Sequence, residues 1–147
     1  MITLIYLTLG LLTSLLFPPY FFFPLGFIIF PYLCLLLDSH SKNNSKLNIF
    51  KNFSLFGFGF FISYLFWVKN PFFVFEETKK FFLVFILLII LLSLILSLIF
   101  TIISKLGKNI PTFFLIPFMF TITEYIISVI FYGFPWFTFS LVISSNE

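Results

Sequence analysis

Glu124 lies inside the apolar stretch "TEYIISVIFYGFPW" at positions 123–136, about nine residues before Gly133. At 1.5 Å per helical residue it sits about 13 Å from the end of that run. An ionisable group so placed is costly to desolvate, so it is expected either protonated or paired. Ser128, one helical turn on, can add a hydrogen bond. Glu124 is expected to face the third helix and to contact either a nearby hydroxyl or Lys69, whose long stem lets an ammonium travel while its helix end stays at the interface. Such an acid marks either a functional site or a neutral, hydrogen-bonded structural residue. The other chemically active types are sparse. Cys34 is the only cysteine and lies in an apolar run, where a thiol behaves as a small hydrophobe. His40 stands alone in a polar stretch and reads as solvated. No Ser-His-Asp set, metal-ligand cluster or phosphate loop is legible, and no cofactor is implied. The glycines of "FGFGFF" follow no strand and lie in an apolar run, so they carry no phosphate-binding signal.

The composition decides the class. Of 147 residues, 61% are hydrophobic and 9% charged, and the mean hydropathy is +1.20. A soluble domain of this length has no way to hide that much apolar surface. The chain reads as an all-α integral membrane protein. Its 28 Phe, with Ala, Arg and Gln absent, match the codon bias of an AT-rich genome. The formal net charge of +3 comes from lysines spread over several connections. That spread argues against a nucleic-acid surface and for orientation in a bilayer. The N-terminus has no basic region and no small-residue cleavage site, so a retained helix is expected there rather than a signal peptide.

A spanning helix needs about 20 apolar residues. Five runs approach that length, near 2–17, 20–37, 53–68, 81–104 and 111–132, and a sixth begins at 137–147. A bundle of about five transmembrane helices with the start of a sixth is therefore expected. Pro18 and Pro19 close the first run, since Pro cannot continue a helix by hydrogen bonding. The polar stretch 38–52 reads as a loop. With the N-terminus inside, Lys42, Lys46, Lys51, Lys105 and Lys108 fall on the cytoplasmic side, and Lys69, Lys79 and Lys80 outside. The bias favours a cytoplasmic N-terminus. Small residues predict the packing faces: Gly10 with Ser14, Gly59 with Ser63, and Ser93, Ser97, Thr101 and Ser104 at helical spacing.

Read in order, the double-Pro hairpin, "FGFGFFISYLFWV" at 56–68, a long Lys-flanked helix and the "GFPW" corner at 133–136 form a series. This series resembles the N-terminal membrane domain of the bacterial apolipoprotein N-acyltransferases. The resemblance is specific at Gly133, Phe134, Pro135, Trp136 and Glu124, and looser at Gly57, Gly59, Trp67 and Val68. Ile127 stands where the family has an Arg, and Ser140, Leu141 and Ile143 depart from its Gly-Tyr and Gln pattern. The resemblance spans this chain but only about the first third of the family's length. The family's nitrilase-like catalytic part, with its Glu, Lys and nucleophilic Cys, has no counterpart here, and Cys34 is not that nucleophile.

The resemblance implies an inner-membrane protein that handles acyl chains of phospholipid and lipoprotein. In the family, an acyl group passes from phospholipid through a Cys thioester to the α-amine of a diacylglyceryl-cysteine lipoprotein. This chain alone is expected to be inactive and to need a separately encoded or frameshifted catalytic domain. Gly133, Phe134, Pro135 and Trp136 would be either the rim of a lipid cleft or a plain interfacial anchor. The alternative readings are a small transporter or channel subunit, or a structural membrane protein without activity. A transport path would need polar groups on several helices, and the sequence offers only Glu124, Lys69 and the serine stripe.

Overall fold

The computed structural model describes residues 2–43, 46–133 and 138. The described residues form five α-helices and no strand: α1 (Ile2–Ser14), α2 (Gly26–Asn43), α3 (Lys46–Tyr64), α4 (Phe82–Leu106) and α5 (Thr112–Ile130). Short 3-10 segments at Phe23–Leu25, Phe66–Phe73 and Glu76–Phe81 connect them at one end of the bundle.

The all-helical membrane architecture is as expected, but the span count is coarser than five. Two helical stretches are long and apolar enough to cross a bilayer, Glu76–Leu106 and Thr112–Ile130. A third arises if α3 and Phe66–Phe73, bent by 53° at their junction, count as one span. At 13 residues α1 reaches only about 20 Å. It stops at Ser14 rather than at position 17. Leu15, Leu16 and Phe17 donate instead to the carbonyls three residues back, which tightens the last turn before the cis Pro18–Pro19 bond.

The polar stretch 38–52 is not the loop that its composition suggests. Residues 38–43 continue α2, and residues 46–52 open α3. Lys, Asn and Ser are tolerated in helices, and the start of α3 is held in the bundle, where Ile49 and Asn52 are buried and the Phe50 carbonyl accepts the Ser97 hydroxyl. The sixth run at 137–147 lies outside the described residues, apart from Thr138.

Packing follows the small residues. At Gly10, an added Cβ would lie 2.0 Å from the Phe56 carbonyl oxygen, and at Gly59 it would lie 2.4 Å from that of Leu7. The two glycines therefore let the α1 and α3 backbones meet side by side and parallel, with Tyr6 beside Phe53 at one end of the contact and Ser14 beside Ser63 at the other. One turn on, the Ser14 hydroxyl donates to the Ser63 hydroxyl at 2.7 Å. On the opposite side of α3, Gly57 meets the Ser93 backbone of α4, and the buried Ser97 hydroxyl donates to the Phe50 carbonyl. α3 is thus the central helix, gripped on two faces by small residues.

Aromatic rings join all five helices through the core. Tyr6 meets Phe53 at 5.4 Å between centroids, Phe53 meets Phe100 at 4.7 Å, Phe100 meets Phe120 at 5.1 Å, and Phe120 meets Phe30 at 6.1 Å. Edge-on and tilted contacts of this kind add to the packing that must hold helices together where lipid is as apolar as the core. Leu83, Leu87, Leu94, Leu98 and Ile102 of α4 stay exposed, the outer surface expected of a helix facing acyl chains.

Candidate functional site

The helix pairings, parallel for α1 with α3 and antiparallel for α3 with α4, α4 with α5 and α2 with α5, fix which ends lie together. Gly10 opposes Phe56, Gly57 opposes Ser93, Phe100 opposes Phe120, and the Thr112 hydroxyl donates to the Asp38 carboxylate at 3.2 Å. The C-terminal ends of α1, α3 and α5 therefore share one end of the bundle with the N-terminal ends of α2 and α4. That end carries exposed aromatics, including Tyr20, Phe22, Phe66, Trp67, Phe75 and Tyr132. The opposite end carries Asp38, Lys105 and Lys108. Exposed Phe113 and Phe114 lie at that opposite end, but Tyr20, Trp67 and Tyr132 lie at the first, and amphipathic Trp and Tyr rings suit a lipid headgroup region.

At the aromatic end, α1 leaves through the Pro18–Pro19 turn and α3 bends into Phe66–Phe73. The divergence opens a cavity of about 620 Å3 above the Ser14–Ser63 contact. Leu11, Ile62 and Tyr64 line its deeper part, and Tyr20, Trp67, Lys69 and Asn70 its outer part. A second cavity of about 360 Å3 adjoins it, and Lys69 and Asn70 line both. The Lys69 ammonium lies 3.3 Å from the centre of the Phe66 ring, a cation–π contact. The larger volume falls in the range of ligand sites, about 300–1,000 Å3, whereas the smaller is a shallow, open groove.

Lys69 is therefore placed differently from the sequence expectation. It turns onto Phe66 at the α1–α3 side and does not pair with Glu124. After the 53° bend that follows Tyr64, Trp67, Lys69 and Asn70 lie beside Leu11, Ser14 and the Pro18–Pro19 turn. Glu124 and Ser128 do come together. With Thr121 and Tyr125 they line a groove of about 310 Å3 on α5. These positions recur at three- and four-residue spacing, so they form one face of the helix.

Gly133 closes α5. Tyr132 and Gly133 take left-handed backbone angles, φ 56° and 83°, and the Gly133 amide donates to the Ser128 carbonyl at 2.7 Å. This six-residue closure satisfies a carbonyl that the helix end would leave unpaired. Phe134, Pro135 and Trp136, the remaining rim candidates, lie outside the described residues.

The sequence reading missed the cavity, although its signals were present: a double Pro after one apolar run and a Trp-Val-Lys-Asn segment after another. Cys34 is half-buried in α2. Among the described residues no group of His, Cys, Asp and Glu is placed to hold a metal.

A family model described as the apolipoprotein N-acyltransferase N-terminal domain matches residues 9–147. No curated protein and no solved structure matches the chain.

Proposed function

Because this chain belongs to the apolipoprotein N-acyltransferase N-terminal domain family, we propose that it is the lipid-holding membrane part of an N-acyltransferase of the bacterial inner membrane. The family match over residues 9–147 carries this reading. The cavity among the aromatic residues supports it, since both substrates of the family are lipids anchored at one interface. Holding two amphiphiles at one height replaces a chance encounter by proximity. The acyl transfer itself needs a nucleophile activated by a base. The single cysteine, Cys34, is half-buried in a helix, so a nitrilase-like catalytic domain supplies that chemistry.

In this reading the chain crosses the membrane five times with its N-terminus in the cytoplasm. The short α1 and α2 complete their crossings with the apolar segment between them. The aromatic end, with Gly133 and the 66–81 connector, faces outward. Cysteines introduced singly at Thr78 and Lys108 in a Cys34→Ser background test the orientation. An impermeant thiol reagent applied to whole cells is expected to label position 78 and spare position 108; the reverse pattern inverts the topology.

The functional test is expression in a strain depleted of its own N-acyltransferase. The 147-residue chain alone is expected to leave lipoproteins diacylated. Co-expression with a nitrilase-like domain from the family is expected to restore the triacylated form. Rescue by the chain alone would overturn the proposed division of labour, and failure of every combination would overturn the acyltransferase reading.

A further inference from the structure

We infer that Lys69 and Asn70 form the phosphate-binding rim of a phospholipid site, with the acyl chains entering the cavity between the diverging ends of α1 and α3. The inference deepens the reading of this end as lipid-holding and names the group it recognises.

Among the described residues Lys69 has no carboxylate partner. The acid of the same connector that is engaged, Glu76, is held by Lys79 at 2.5 Å. Lys69 instead sits 3.3 Å from the Phe66 ring centre. A ring face draws a cation but leaves its outward N–H donors available. The charge is thereby held at a defined place at the boundary of two cavities.

The two cavities differ in what they offer. The larger, about 620 Å3, has Leu11 and Ile62 in its wall and opens beside Trp67. The smaller, about 360 Å3, lies along the connector beside Phe73 and Val74. Lys69 and Asn70 belong to both. A phospholipid has the matching order of parts: apolar chains, then an anionic phosphate with several acceptor oxygens, then a small headgroup. Ammonium and amide donors both suit phosphate oxygens, and a charge-assisted bond strengthens where water is scarce. A fatty acid would satisfy the cation but leave the smaller cavity unfilled. Free phosphate would leave the larger one unfilled.

The test uses Trp67 as reporter in the full chain carrying Trp136→Phe, purified in micelles of an uncharged detergent. Titrants are phosphatidylglycerol, diacylglycerol and a free fatty acid, each with brominated acyl chains that quench indole fluorescence at contact. Phosphatidylglycerol is expected to bind about five- to tenfold more tightly than diacylglycerol. That advantage should vanish in Lys69→Gln and persist in Lys69→Arg and in Lys80→Gln, with circular dichroism showing all variants helical. Millimolar inorganic phosphate should not displace the lipid. Equal quenching by diacylglycerol or fatty acid overturns the inference, as does an undiminished phosphate preference in Lys69→Gln or displacement by phosphate alone. If Lys69→Gln does not fold, the diacylglycerol and fatty-acid comparisons on the parent chain decide. Phosphate preference without any rescue of the depleted strain sinks the acyltransferase reading and leaves this inference standing. Rescue with no phosphate preference does the reverse.

Discussion

Replacing Gly10 by Ala is expected to lower the stability of the purified chain in bicelles by about 2 kcal/mol or more, a larger loss than a methyl group normally causes. The added Cβ would fall 2.0 Å from the Phe56 carbonyl oxygen and 2.9 Å from the Phe60 amide nitrogen. Both are backbone atoms of α3, so no side-chain rotation relieves the clash, and α1 must move away from α3. Moving it breaks the Ser14–Ser63 hydrogen bond and loosens the Tyr6–Phe53 contact. In water, added apolar volume recovers part of such a cost. In lipid it recovers little, because acyl chains solvate a methyl group as well as a helix does. Gly59→Ala should behave alike, since its Cβ would sit 2.4 Å from the Leu7 carbonyl oxygen. The double variant should cost clearly less than the sum of the two, because helices already separated for one methyl group have room for the other. Unfolding by dodecyl sulfate, followed by helicity, measures all three. A neutral Gly10→Ala, or strict additivity, would show that the α1–α3 approach is looser than the structure has it.

Those contacts were legible in the sequence for a physical reason. Between helices in a membrane, backbone proximity is the main source of attraction, and only small side chains permit it. A Gly or Ser recurring at four-residue spacing in a Phe-rich chain therefore marks a face. The pairs Gly10 with Ser14 and Gly59 with Ser63 do meet, and Ser93, Ser97 and Ser104 of the α4 stripe are buried. The end of α5 was legible too, because Gly133 takes a backbone angle that its Cβ-free residue allows without strain.

What failed was reading polarity as loop. Asp38 to Asn43 and Lys46 to Asn52 remain helical; in the second stretch Ile49 and Asn52 are buried and the Phe50 carbonyl is bonded to Ser97, so scattered apolar residues anchor a turn that reads as polar on average. The direction of Lys69 failed for a different reason. Sequence spacing placed it on the same side as Glu124 but was silent about the 53° bend after Tyr64. That bend is also what opens the cavity, so the one unread feature hid both the true neighbour of Lys69 and the best candidate site. Glu124 and Ser128, one turn apart on a single helix, line one groove of α5.

The second large effect is expected on the other face of α3. Ser97→Leu should destabilise the chain by about 2–3 kcal/mol, whereas Ser97→Ala should cost about 1 kcal/mol or less. Ser97 is fully buried, and its hydroxyl donates to the Phe50 carbonyl of α3. Alanine removes that bond but keeps the space, and hydrogen bonds between membrane helices are individually worth little. Leucine removes the bond and also fills a gap closed by backbone. Close by, Gly57 already faces the Ser93 Cα so tightly that a Cβ there would lie 3.0 Å away. With α4 pushed outward, the Phe53–Phe100 ring contact at 4.7 Å would open. The connector 66–81, anchored between the ends of α3 and α4, would then be pulled from its place, and Lys69 with it. Ser97→Leu should therefore weaken lipid quenching of Trp67 as well as lower the unfolding midpoint, while Ser97→Ala leaves quenching intact. Equal losses for the two variants would assign the stability to the hydrogen bond instead of the close approach. A stability loss in Ser97→Leu with quenching unchanged would separate the α3–α4 contact from the lipid site.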